Sequence, residues 1–108
     1  QAFHNSLRDR IMPTATQNAF EEGRDLCQTG GKFAEALVKL EKVSSYDINY
    51  KRDGVLYYSA KSHQGLGDLE KAKTLYNEIL QQFPNGFYIE WIPLRLNEIA
   101  RLESAATP

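Results

Sequence analysis

The 108 residues include one cysteine, Cys27, and two histidines, His4 and His63. One thiol closes no internal disulfide and forms no cysteine metal cluster. No His-x-x-x-His pair and no acid–histidine pair at ligand spacing occurs, so no metal site is expected. Neither Gly65-x-Gly67 nor Gly30-Gly31 has the lysine–serine or GxGxxG frame of a phosphate loop. An excess of one charge is also missing. Thirteen basic and fourteen acidic residues leave a net charge of −1, which removes the electrostatic footprint of a nucleic-acid or anionic-membrane binder. No apolar run approaches the roughly 18 residues of a membrane-spanning helix. No signal-peptide pattern opens the chain, and a start at Gln1 is what a fragment or a mature form would have. A lone cysteine leaves the compartment open.

What is present is an ordinary balance, 42% hydrophobic and 25% charged, which fits one globular domain. Its pattern is helical. In "GLGDLEKAKTLYNEILQQFP" (65–84), Leu69, Ala72, Leu75-Tyr76, Ile79-Leu80 and Phe83 form one apolar face. Gly67 suits the left-handed position that closes a helix, and Asp68 suits the cap of the next. Pro84 forbids continuation, and Asn85-Gly86 makes a turn. Upstream, Val55-Leu56, Ser59-Ala60 and His63 to Leu66 give a second helix. A break this short makes the two helices antiparallel neighbours. Small residues at Ala60 and Ala72 let their backbones come close.

The pattern recurs. "GGKFAEALVKLEKV" (30–43) aligns with the later segment, Phe33 with Leu69, Ala36 with Ala72, Leu40 with Tyr76 and Val43 with Ile79, all at an offset of 36. Before it, Thr14-x-x-Gln17 reads as a capping box. Phe20, Gly23 and Leu26-Cys27 follow as the partner helix, with Gly23 in the place of Ala60. The first hairpin loop, Thr29 to Lys32, is one residue longer than the second. A third copy starts at Phe87: Tyr88, Trp91, Arg95 and Glu98 lie 34 residues after Gly54, Tyr57, Lys61 and Gln64. Pro93 either sits in the first turn of that helix or kinks it. Residues 1–12 read as a further helix. Helices are thus expected near 3–11, 16–29, 33–45, 52–66, 69–83 and 90–103.

The segment "LYYSAKSHQGLGDLEKAKTLYNEILQQFP" carries Leu56, Ala60, Gly67, Leu69, Ala72, Tyr76 and Pro84 in the order of the tetratricopeptide repeat (TPR) family, which it resembles. His63 replaces the usual aromatic. In the weaker match over 17–48, Ile48 stands where proline would. The likeness extends over residues 16–104 and is loosely that of bacterial cell-envelope modules; the bacterial envelope and the cytoplasm both remain open. The resemblance implies an all-α fold of antiparallel helix pairs, stacked as a short right-handed solenoid of five to six helices. Residues 16–104 would hold two repeats and a third, capping helix, with an extension or partial helix at 1–15 and a tail at 105–108.

The same resemblance implies a non-catalytic interaction scaffold. Its concave groove, lined by the first helix of each pair, would hold a peptide or a segment of a partner protein. Tyr57, Lys61 and Gln64 lie at i, i+4 and i+7 on one stripe expected to be exposed, and Tyr88, Trp91, Arg95 and Glu98 extend it; all but Glu98 are expected groove contacts. Tyrosine, tryptophan and arginine are enriched at binding hot spots, although Trp91 would equally serve as the cap a solenoid end needs. The clamp for a chain-terminal carboxylate is not present. Its places hold Glu21 and Asp25 (or Phe20 and Arg24, one register over), Tyr58, Tyr88 and Ile92. His63 shares a face with Leu56 and Ala60 and reads as a packed histidine. Cys27, beside Leu26, reads as a buried thiol, and Glu21, Glu22 and Asp25 as solvated charges. No catalytic residue and no cofactor is expected. The expected partner is a protein or peptide, with no nucleic acid and no membrane insertion. The alternative is self-association of this chain through an open solenoid end.

Overall fold

Apolar residues recur at helical spacing along the chain, and among the described residues five α-helices result. They are α1 (Ala2–Gln28), α2 (Phe33–Tyr46), α3 (Arg52–Gly65), α4 (Leu69–Gln82) and, after a 3₁₀ turn at Ile89–Trp91, α5 (Ile92–Ala106). The structure is a computed structural model that describes residues 2–106 in backbone and residues 14–105 in side chain. The side chain of His4 lies outside that range. Among the described residues there is no strand. The helices pack consecutively, α1 on α2, α2 on α3, α3 on α4 and α4 on α5, with α1 also reaching α3. No described helix is long and apolar enough to cross a membrane.

Two expectations at the N-terminus are corrected. The helices foreseen at 3–11 and 16–29 are one helix, so Thr14 lies inside α1 and not at a start. Gln17 does not complete a capping box either. Its amide donates forward to Glu21 Oε2 at 3.0 Å. Threonine costs a helix interior only a fraction of a kcal/mol (roughly 0.7 at most relative to alanine), so a Thr-x-x-Gln string alone does not mark a helix start. At the other end, α5 begins at Ile92, which puts Pro93 in the first turn. There its missing N–H has no intrahelical partner to lose.

The turn between α3 and α4 follows from its residues. Gly67 takes φ +86°, a conformation glycine adopts without steric cost. Its N–H donates to Gln64 O at 3.1 Å, and the Asp68 N–H donates to His63 O at 2.8 Å. This is the paired closure of a Schellman motif. Asp68 then caps α4, its Oδ1 accepting from the Lys71 N–H at 3.4 Å. His63 Nδ1 sits 3.5 Å from Asp68 Oδ2 across the same turn. The α1–α2 connection, residues 29–32, is one residue longer than 66–68. Chain reversal there uses Gly31 at φ +60°. Lys51 enters α3 at φ +41°, and its ammonium lies 5.1 Å from the centre of the Phe20 ring, tying the second hairpin to the first.

The sequence repeat is visible in the core. Ala36, Leu40 and Val43 of α2 and their counterparts Ala72, Tyr76 and Ile79 of α4 are all buried. Where helices cross, side chains shrink. A Cβ added at Gly23 would lie 2.8 Å from Leu40 Cγ and 3.3 Å from the Ala36 carbonyl oxygen. Ala60 and Ala72 have no accessible surface. The Phe33 ring rests directly on Gly65 and leaves no room for a Cβ. Cys27 is buried, its Sγ directed at the Tyr58 carbonyl oxygen at 3.7 Å. On the surface, Glu22 pairs with Lys39 at 3.0 Å and Asp25 with Arg24 at 3.2 Å.

These crossings define a stability test. Glycine to alanine in a helix interior ordinarily gains up to about 1 kcal/mol. At Gly23 the added methyl meets a buried leucine and a carbonyl, and overpacking costs roughly 1–3 kcal/mol. Gly23→Ala is therefore expected to be neutral to destabilising, against the helix-propensity trend, and Ala72→Leu to lose about 1–3 kcal/mol. Urea unfolding of both variants checks this, and a Gly23→Ala protein more stable than wild type would contradict the crossing.

Candidate functional site

The six residues of the expected groove do converge, but not as one exposed stripe. Tyr57 is the correction: it is 3% exposed. The third copy covers it. The Tyr88 ring stacks on the Tyr57 ring with centroids 4.7 Å apart and planes 21° from parallel. Trp91 lies 6.2 Å away on the same side, and Tyr76 of α4 meets Tyr57 edge-on at 6.1 Å. Gly54, one turn earlier on α3, makes the approach possible. A Cβ there would be 3.0 Å from the Tyr88 hydroxyl and 2.8 Å from the Phe20 ring. The 34-residue alignment set Gly54 against Tyr88 as equivalent positions, and the structure brings the two into contact. What the alignment concealed is that each element of a solenoid lies over the equivalent part of the one before. The missing side chain at Gly54 was the signal of that contact.

Gln64 and Arg95 are likewise tied into the fold. The Tyr76 hydroxyl donates to Gln64 Oε1 at 2.9 Å, and Gln64 Nε2 donates to Glu98 Oε1 at 3.0 Å. Arg95 Nη1 donates to both Glu98 oxygens, at 3.1 and 2.9 Å. Arg95 Nε donates to the Tyr57 hydroxyl at 3.1 Å. The chain Tyr76–Gln64–Glu98–Arg95–Tyr57 thus joins α4, α3 and α5. Hydrogen bonding from Gln64, then from Arg95, holds the Glu98 carboxyl below its ordinary value. Burial is the main cause that raises the phenols of Tyr76 and Tyr88.

Above this network the surface is open. Trp91 is 38% exposed and Phe87 72%; their rings meet edge to face at 5.1 Å. Phe87 served in the sequence only to mark the start of the third copy. The aromatic run Phe87-Tyr88 just after a turn was the available sign that it lies beside Trp91. Lys61 Nζ sits 5.9 Å from the centre of the Tyr57 ring. Burial, and next the nearby Arg95, lower its pKa. Lys61, Phe87, Trp91 and Arg95, with Gln28, Tyr57 and Tyr58, line a recess of about 240 Å³. Two larger depressions lie elsewhere, one of about 440 Å³ among α2, α3 and α4 and one of about 480 Å³ between α1 and α2, and none of the six residues lines either. Among the described residues no cluster of histidine, cysteine or carboxylate side chains is arranged to hold a metal.

Consecutive helix pairs, small residues at their crossings and aromatic side chains laid from one pair onto the next define a short helical-repeat protein. Residues 55–86 match the model of the tetratricopeptide repeat family, so the hairpin of α3 and α4, with the turn that follows, is a tetratricopeptide repeat. No curated protein and no solved structure matched the chain.

The direction of the Glu98 shift fixes a pH dependence. A carboxyl whose folded value is depressed stabilises the fold above its unfolded value, and that contribution is lost as pH falls through the folded value. The stability difference between wild type and Glu98→Gln is expected to be constant near neutrality. It should shrink as pH drops below the ordinary 4.5. Urea unfolding of both proteins across acidic pH checks this. A difference independent of pH would mean that Glu98 is not engaged.

Proposed function

We propose that this chain is a non-catalytic protein-interaction scaffold, with residues 16–104 as the working unit. A segment of a partner protein crosses the strip formed by Lys61 of α3 and by Phe87, Trp91 and Arg95 beside it. The repeat itself speaks for a protein partner. The observation that carries the choice of strip is the exposed Phe87–Trp91 pair. Two adjoining rings offer rigid apolar area with few rotors to immobilise on binding. Their floor is already ordered by the Tyr57–Tyr88 stack and the Arg95–Glu98 pair, so little reorganisation opposes binding. Tyr57, Tyr88 and Gln64 serve as this floor. Trp91 acts as both cover for Tyr57 and contact.

A second reading has its own support. Leu94 and Leu102 of α5 are 52% and 48% exposed. A self-complementary pairing of that helix between two copies would bury them.

Peptides selected on the immobilised chain from a random display library test the first reading. Phe87→Ala is expected to weaken the selected peptides by about tenfold or more, the scale of a hot-spot truncation. Because Phe87 is so exposed, the same change should alter folding stability by no more than about 0.5 kcal/mol. Sedimentation tests the second. A monomer at micromolar concentration argues against self-association, and a dimer broken by Leu94→Lys argues for it.

A further inference from the structure

The two cations that line the recess are not equivalent. Arg95 is committed, to both oxygens of Glu98 and to the Tyr57 hydroxyl. Lys61 is not. Among the described residues no carboxylate pairs with it, although every half-buried arginine and Lys73 has one. Among the described residues its ammonium has only the face of Tyr57 for a partner. An ammonium withdrawn from water without a counter-charge is costly, and burial correspondingly lowers the Lys61 pKa. The local sum of Lys61, Arg95 and Glu98 is one positive charge, set in a recess with room for a side chain and rimmed by Phe87 and Trp91.

Resting on the scaffold reading, we infer that the recess beside Lys61 receives a carboxylate side chain from within the partner segment, while the apolar residues flanking that carboxylate lie on Phe87 and Trp91. One monoanion balances the site. A phosphate dianion would leave surplus negative charge close to Glu98, whose carboxylate is already ionised by its contacts. Lys61 lies one helical turn from Tyr57 and another from Gln64, in the middle of the α3 stripe. A segment that reaches it therefore has chain on both sides, which favours an internal aspartate or glutamate over a chain terminus. The Lys61 ammonium, a point charge on a flexible stem, would accept the oxygen without needing the fixed fork of an arginine.

Three probes test this. The first is a blocked five-residue peptide with a central glutamate between two phenylalanines and glycine at each end. The second replaces the glutamate with glutamine, and the third is the glutamine peptide with a free terminal carboxylate. Binding is followed by proton–nitrogen correlation spectra of the 108-residue chain and of its Lys61→Met and Lys61→Arg variants, whose spectra also report that they fold. The glutamate peptide is expected to shift the Lys61 amide and the Trp91 indole signal and to bind about fivefold or more tightly than the glutamine peptide. That preference should vanish in Lys61→Met and persist in Lys61→Arg. Equal binding of the two blocked peptides, both weakened by Phe87→Ala, overturns the carboxylate inference and leaves the scaffold reading standing. Tighter binding of the free-terminus peptide than of the glutamate peptide overturns the assignment to an internal side chain. If no peptide shifts these signals, the inference and the choice of this strip fail together.

Discussion

Two helices can share a core only at the distance their smallest contacting side chains permit, and in this chain that limit recurs from α1 to α4. Gly23 meets Leu40 and the Ala36 backbone, Ala60 and Ala72 leave no accessible surface, and Gly65 carries the Phe33 ring. Interior packing density leaves no slack for an extra methylene at such points. The larger residues, Leu40, Tyr76 and Ile79, then fill the space beside each crossing. Small residues therefore set how closely the helices approach, and the order of large residues follows from it. The Schellman turn at Gly67 and the cap at Asp68 join the helices but do not determine how closely they pack.

One crossing links architecture to surface. With no side chain at Gly54, Phe20 of α1 and Tyr88 of the third copy both close on the same stretch of α3. Tyr88 then covers Tyr57, and Trp91 and Phe87 are carried into place above it. The aromatic ledge is thus a product of inter-repeat packing. Its position relative to Lys61 is fixed by the Tyr57 hydroxyl, which receives Arg95, and by the chain through Glu98 and Gln64. A surface held this way is already ordered in the free protein.

The helical hairpins were legible in the sequence because period, small residues and punctuation agreed. Ala36, Leu40 and Val43 repeat as Ala72, Tyr76 and Ile79, and each set is buried. The entry to α1 was not legible, since Thr14-x-x-Gln17 has the letters of a cap and the geometry of a helix interior. That the six residues of the expected groove lie near one another was legible from spacing alone. Their exposure was not, because periodicity within one helix says nothing about what the next repeat lays over it. Tyr57 looked superfluous to the α3–α4 interface, yet its ring meets Tyr76 of α4 and is also covered by the third copy. Phe87 was passed over for a related reason. It lies in the turn before the 3₁₀ segment, outside the repeat positions read for the third copy, although its four-residue spacing to Trp91 is what lets the two rings meet.

Cys27 stands at the seam between the first hairpin and α3, its sulfur turned toward the Tyr58 carbonyl and shielded from water. A thiol is consumed by an external reagent only when it meets one, so this single sulfur behaves as a clock set by the breathing of the seam. The time for which it escapes modification measures how rarely the first repeat lifts away from the second. In a solenoid each repeat touches only its neighbours, so the stability of the stack depends on such seams. The sequence thus carries, in its one cysteine, a gauge of the joint on which the continuity of the whole stack rests.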